Sequence, residues 1–187
     1  MGILRPEGPD DLYDAIKELV LRYRIIWRCQ FCTWRPLVNP RNETPLWVGA
    51  YYGYRDPLIV SECIKSGYSV NDPDCVNGET PLMIAIKQNH VHWVTFLLKA
   101  DADVCIRSFA GETSLWIAAS LGHLHIINVL LERARLSDRS TFLLNQTNYA
   151  GITPLGIAQQ NGHGETAEAL SMDHDGTRTQ HTPNPAV

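Results

Sequence analysis

The residues best placed to do chemistry are two histidine doublets, "HVH" at His90 and His92 and "HLH" at His123 and His125, repeated 33 positions apart. Stacked side by side, they would offer imidazole nitrogens of the kind that zinc takes in tetrahedral sites. The competing account is that His90, His123 and His163 each open a helix, where an imidazole packs and bonds locally. Only His92 and His125 fall outside it, and the structural account is preferred. "CQFC" at Cys29 and Cys32 has the spacing of a redox pair or half a zinc knuckle. No second pair follows at a useful distance, and Phe31 and Trp34 flank it, which fits thiols packed in an apolar junction. "GHGET" at Gly162 to Thr166 has the composition of a phosphate loop, but it lies between two helical segments and reads as their connection. Nucleophile elbows, Walker loops, zincin helices and dinucleotide-binding glycines are absent from the sequence. No catalytic residue, metal or cofactor is assigned.

Composition narrows the function classes. The 187 residues are 44% hydrophobic and 19% charged, ordinary for a globular chain, with a net charge of −4. Such a balance does not attract polyanions, and the nearest basic cluster, Arg133, Arg135 and Arg139, is short, so no nucleic-acid partner is expected. No apolar run approaches the ~18 residues of a membrane span. Five cysteines, an odd number, with no charged-then-apolar leader, suggest free thiols in a reducing compartment, cytosol or nucleus.

Elements must position whatever the chain binds, and their spacing is repetitive. Over Asp10–Trp27, apolar residues at spacings of three and four predict an amphipathic helix of roughly five turns. With the irregular stretch that follows, it makes residues 1–38 a cap or a degenerate repeat. Beyond it come "NETPLWVGAYYG", "GETPLMIAIKQN", "GETSLWIAASLG" and "GITPLGIAQQNG", whose threonines Thr44, Thr80, Thr113 and Thr153 are separated by 36, 33 and 40 residues. Threonine is a helix N-cap, and proline directly after it stands where its missing N–H is harmless. Ser114 takes that place in the third copy. Leu46, Leu82, Leu115 and Leu155, with Ala50, Ala85, Ala118 and Ala158, form the apolar stripe of each first helix. Gly53, Asn89, Gly122 and Gly162 end it, and Leu97–Leu98 and Leu130–Leu131 mark the buried side of second helices. About seven extra residues in "RARLSDRST" predict an enlarged loop.

These four copies resemble the ankyrin repeat, with its glycine, Thr-Pro-Leu, paired helices and Leu-Leu. The resemblance spans residues 39–171, divided at about 39–74, 75–107, 108–147 and 148–171, and leaves 172–187 as a flexible tail. It implies an all-α fold with short β-hairpins, an ankyrin-repeat solenoid behind an N-terminal capping helix. Trp47, Met83, Trp116 and Gly156 stand where the family has histidine, so an inter-repeat hydrogen bond is expected to be lost to apolar contact.

The resemblance also implies a non-catalytic module that binds another protein, an extended peptide or a small domain, through its concave face and hairpin tips. By register the partner-binding positions are Arg41, Glu43, Tyr51 and Tyr52 in the first unit, and Val76, Asn77, Glu79, Lys87 and Gln88 in the second. Phe109, Glu112, Ser120 and Leu121 follow in the third, then Tyr149, Ile152, Gln160 and Asn161 in the fourth. The register puts the aromatics among them in water without a scaffold reason, which suggests an aromatic-lined groove; the glutamate of each "GET" is expected to be exposed. An enzyme or small-molecule binder using that groove is the alternative, and a homodimer through an open repeat end is left open.

Overall fold

The computed structural model describes residues 44–54, 58–137 and 139–174. The helix expected at Asp10–Trp27, the junction to residue 38, Arg41, Glu43 and the tail from 175 onward lie outside the described residues.

Each unit begins on its threonine. The hydroxyls of Thr44, Thr80, Thr113 and Thr153 accept the N–H of Trp47, Met83, Trp116 and Gly156 at 3.2, 3.4, 3.2 and 3.1 Å. They start the first helices α1 (Pro45–Tyr52), α3 (Pro81–Lys87), α5 (Ser114–Ser120) and α8 (Pro154–Gln160). Each first helix is closed by a left-handed residue: Gly53, Gly122 and Gly162 as expected, and Asn89 at φ 55° in the second unit. The second helices are α2 (Leu58–Lys65), α4 (Val91–Lys99), α6 (Leu124–Leu136) and α9 (Gly164–His174). First helices stack in the order α1, α3, α5, α8, and each packs on the second helix of its own unit.

The core runs along this stack. Leu82, Met83, Ile86, Trp93, Leu97, Leu115, Ile117, Leu130 and Leu131 are fully buried, each contributing roughly 1.5–3 kcal/mol. Leu155 is only partly buried, because no described unit follows to cover it. At the first seam the ring of Trp93 lies where a Cβ on Gly49 would fall 2.5 Å away, so the two helices approach as closely as they do only over glycine. The Trp93 indole N–H donates to Tyr54 O at 2.5 Å. Imidazoles complete the seams: His90 Nδ1 and His92 Nε2 face Ala50 O and Gly53 O at 2.9 and 3.0 Å, and His163 Nε2 faces Ser120 O at 3.0 Å. His92, the histidine without an obvious task, therefore bridges repeats.

Three expectations change. The inserted segment of the third unit is helical: α6 runs on to Leu136, and a further helix, α7 (Ser140–Asn145), buries Leu143 and Leu144 against α6, α8 and α9. Apolar residues directly after the insert found a packing surface, where only a loop was expected. The connections read as β-hairpins are tight turns: among the described residues no strand forms, and each tip is spanned by a backbone bond, from Asp74, Ser108 and Asn148 N to Glu79, Glu112 and Ile152 O. Finally, the boundary at 171 cuts through α9, which continues to His174 and exposes Glu165 and Glu168. The last unit thus has a second helix with polar outer positions.

Two predictions follow from these contacts. Ser114 is fully buried with no hydrogen bond to its hydroxyl among the described residues, at a position where proline is preferred. Ser114→Pro should stabilise the fold by about 1 kcal/mol, removing an orphan hydroxyl and restricting the unfolded chain; an unchanged or lower urea midpoint would contradict this. Burial, and secondarily His163, holds the His123 imidazole below its ordinary pKa. The unfolded chain therefore takes up this proton first, so this contribution is complete above about pH 6.5 and is lost as pH falls below it. Stability measured at pH 7.5 and 5.5 should differ less in His123→Gln than in the parent chain; an equal difference would argue against the assignment.

Candidate functional site

The tips that project from the stack are organised by one short polar side chain each. Asp74 accepts the N–H groups of Val76 and Asn77 at 2.7 Å and of Glu79 at 3.2 Å. Ser108 Oγ accepts from Ala110 and Glu112 at 3.2 Å, and Asn148 Oδ1 from Ala150 and Ile152 at 3.0 Å. Sequence reasoning passed over these three residues. Their signal was a small polar residue three positions before the tip glycine, or four where the second tip carries one extra residue. Consecutive tips are tied by Phe109 N to Asn77 O at 2.7 Å and Tyr149 N to Ala110 O at 3.1 Å.

Most of the described positions predicted to bind a partner are exposed. Tyr51, Tyr52, Val76, Phe109, Leu121 and Tyr149 are large apolar residues in solvent, from 41% exposed at Tyr51 to 73% at Tyr149. Asn77, Lys87, Gln88, Gln160 and Asn161 are also exposed, while Glu112, Ser120 and Ile152 are half-buried. Some have scaffold tasks. Asn161 Nδ2 donates to Ser120 O at 2.8 Å across the last seam. Phe109 lies over Gly78 and Tyr149 over Gly111, leaving no room for a Cβ there. These two tip aromatics are therefore partly explained by packing, contrary to expectation, and offer a partner only their outer faces.

Glu79 departs furthest from its expected place. It is buried at 5% exposure and pairs with Lys87, which α3 brings back over it. Glu112, one unit on, has its pKa raised mainly by burial, with Lys87 opposing and Glu79 adding to the rise. Beside this group a cavity of about 260 Å³ is lined by Trp47, Tyr51, Asp74, Val76, Asn77, Glu79, Ile84, Lys87 and Gln88. Six of these were predicted binding positions; Trp47, Asp74 and Ile84 were not. Trp47 stacks on Tyr51, ring centroids 5.5 Å apart and planes 7° from parallel, and Tyr52 meets Tyr51 edge-on at 5.0 Å.

Among the described residues the basic cluster and the buried thiol are engaged by the scaffold. Arg133 pairs with Asp101 at 2.5 Å and Arg139 with Asp103 at 3.7 Å, so two arginines of the basic cluster face carboxylates of the preceding unit. Among the described residues no three metal-ligating side chains come together, and no helix is long and apolar enough to cross a membrane. Burial, reinforced by neighbouring Glu62, pushes the Cys63 thiol up to about 12, which makes it unreactive.

The two tryptophans in the place of the family histidine behave differently. Trp116 keeps an inter-repeat bond that was expected to be lost: its indole N–H donates to Ile152 O at 3.0 Å. The Trp47 indole N–H is buried with no partner among the described residues. Trp116→Phe should therefore lower stability by about 1 kcal/mol more than Trp47→Phe, which removes an unsatisfied donor. Equal losses in urea denaturation would refute the difference.

Comparison with known proteins agrees with this geometry. A model described as three copies of ankyrin repeats matches residues 11–108, and a single-repeat model matches residues 110–140. Over 144 residues the chain is 31% identical to ankyrin repeat domain-containing protein 63 of Mus musculus and equally to that of Homo sapiens, covering 73% of this chain. Only 35% and 36% of those proteins is covered, so the chain spans about a third of the length of the curated relatives it matches. The fourth unit, beyond both family models, still carries the threonine cap at Thr153 and the helix pair α8 and α9. With its capped helix pairs and tied tips matched by sequence over more than half its length, this chain belongs to the ankyrin repeat family.

Proposed function

We propose that this chain is a non-catalytic interaction module that binds an extended segment of another protein along its tips and the ends of its first helices. Ankyrin repeats are generally protein–protein interaction modules. The observation that supports this face in particular is the placement of Tyr51, Tyr52, Val76, Phe109, Leu121 and Tyr149 in solvent on those elements. Rigid aromatic rings bury a large area at small entropic cost, which is why they carry binding energy out of proportion to their number. The cavity beside Trp47 and Tyr51 gives that face a place to hold one side chain of the partner. Such binding suits an adaptor that brings one client to other machinery, in the cytosol or nucleus, where the described thiols Cys63, Cys75 and Cys105 would stay reduced.

A library of linear nonamer peptides panned on the immobilised chain tests this. Selected peptides should lose at least about tenfold in affinity, roughly 1.4 kcal/mol, to Tyr51→Glu and to Val76→Glu. Phe142→Glu, on an exposed residue of α7, should bind as the parent does, with the same helical circular dichroism in all three variants. Peptides indifferent to the first two changes would contradict the proposal.

A further inference from the structure

The cavity at the first seam has walls of two chemical kinds. One is aromatic: Trp47 and Tyr51, whose rings lie parallel to each other, line it, and the face of such a ring is the negative pole of its quadrupole. The other is acidic. Asp74 and Glu79 line it beside Lys87, and Glu112 lies within electrostatic reach of both Glu79 and Lys87. Carboxylates therefore outnumber the ammonium at this site three to one. Asp74 is held by three backbone N–H groups, which leaves Glu79 and Glu112 sharing Lys87. The site carries excess negative charge within a chain that is itself at −4.

Size and shape select the occupant further. At about 260 Å³ the cavity falls below the roughly 300–1,000 Å³ of small-molecule sites, which suits a single long side chain. A cation satisfies both walls. A guanidinium does so better than an ammonium, because it is flat enough to stack on a ring while its N–H fork addresses a carboxylate. It is also more weakly hydrated, so less is lost on entering a half-closed site.

We propose that this cavity is an arginine pocket. It seats the guanidinium of one arginine from an extended segment of the partner protein, stacked on the Tyr51 face and paired with Glu79. Lys87 passes from Glu79 to Glu112, leaving two carboxylates matched by two cations. The inference rests on the binding face proposed above and adds the chemistry of the residue it recognises.

The test uses nonapeptide pools with randomised flanks and a fixed central arginine, lysine, citrulline, leucine or glutamate, titrated against the full chain by fluorescence polarisation. The arginine pool should bind about tenfold tighter than the citrulline and leucine pools and measurably tighter than the lysine pool. That preference should shrink in Glu79→Gln. Because Glu79 is buried and its loss could disturb the second tip, Glu112→Gln provides an independent check: with no second carboxylate to receive Lys87, it too should reduce the arginine preference. Its helical circular dichroism should match the parent. Equal binding of arginine and citrulline pools, equal binding of arginine and lysine pools, or a preference for glutamate or leucine would overturn the arginine pocket. Should a non-arginine pool win and still be weakened by Tyr51→Glu, the binding face stands without the arginine. Binding by no pool would overturn both.

Discussion

A threonine hydroxyl accepting the backbone N–H three residues ahead sets the start of every first helix, and the remaining geometry depends on where those helices start. One cap contributes only about 1 kcal/mol. Its larger effect is on register: it decides which residues of a seven- or eight-residue helix face the neighbouring unit and which end the helix in solvent. Because the caps recur at Thr44, Thr80, Thr113 and Thr153, the apolar stripes of successive units coincide, and the stack closes over Leu82, Trp93, Leu97, Ile117 and Leu130. A unit of two short helices could not bury such a stripe alone.

Stacking also leaves backbone carbonyls at the first and last described seams, and the chain satisfies them with rings. Imidazole and indole groups at His90, His92, Trp93, Trp116 and His163 reach back or forward to a backbone oxygen of the adjacent unit. The first of the histidine doublets that suggested metal chemistry, His90 and His92, is thus used as a coupler between repeats. Tyr51, Tyr52, Phe109 and Tyr149 stand exposed at the tips and first-helix ends.

Much of this was legible because it follows from local spacing. Caps, helix starts, the left-handed Asn89, and the exposure of Tyr51, Tyr52, Phe109, Leu121 and Tyr149 all depend on residues within one turn of each other. What escaped depends on contacts between distant residues. Glu79 is buried because Lys87, eight positions on, returns over it from the far end of α3. Phe109 and Tyr149 rest on glycines of the preceding tip, a contact that exists only once two units are stacked. The end of the third unit's insert became part of α7 because Leu143 and Leu144, directly after it, found a surface on three other helices. Trp116 found a carbonyl in the fourth unit, which no spacing within its own repeat could have indicated.

The central claim is that the partner lies along the tips and first-helix ends. A photo-reactive amino acid placed at Gln88, at the edge of the cavity, and separately at Phe142 on α7, tests it most directly in cells that express the chain. Irradiation should yield a defined cross-linked protein species from position 88 and none from position 142. The same species from both positions, or from 142 alone, would contradict the account.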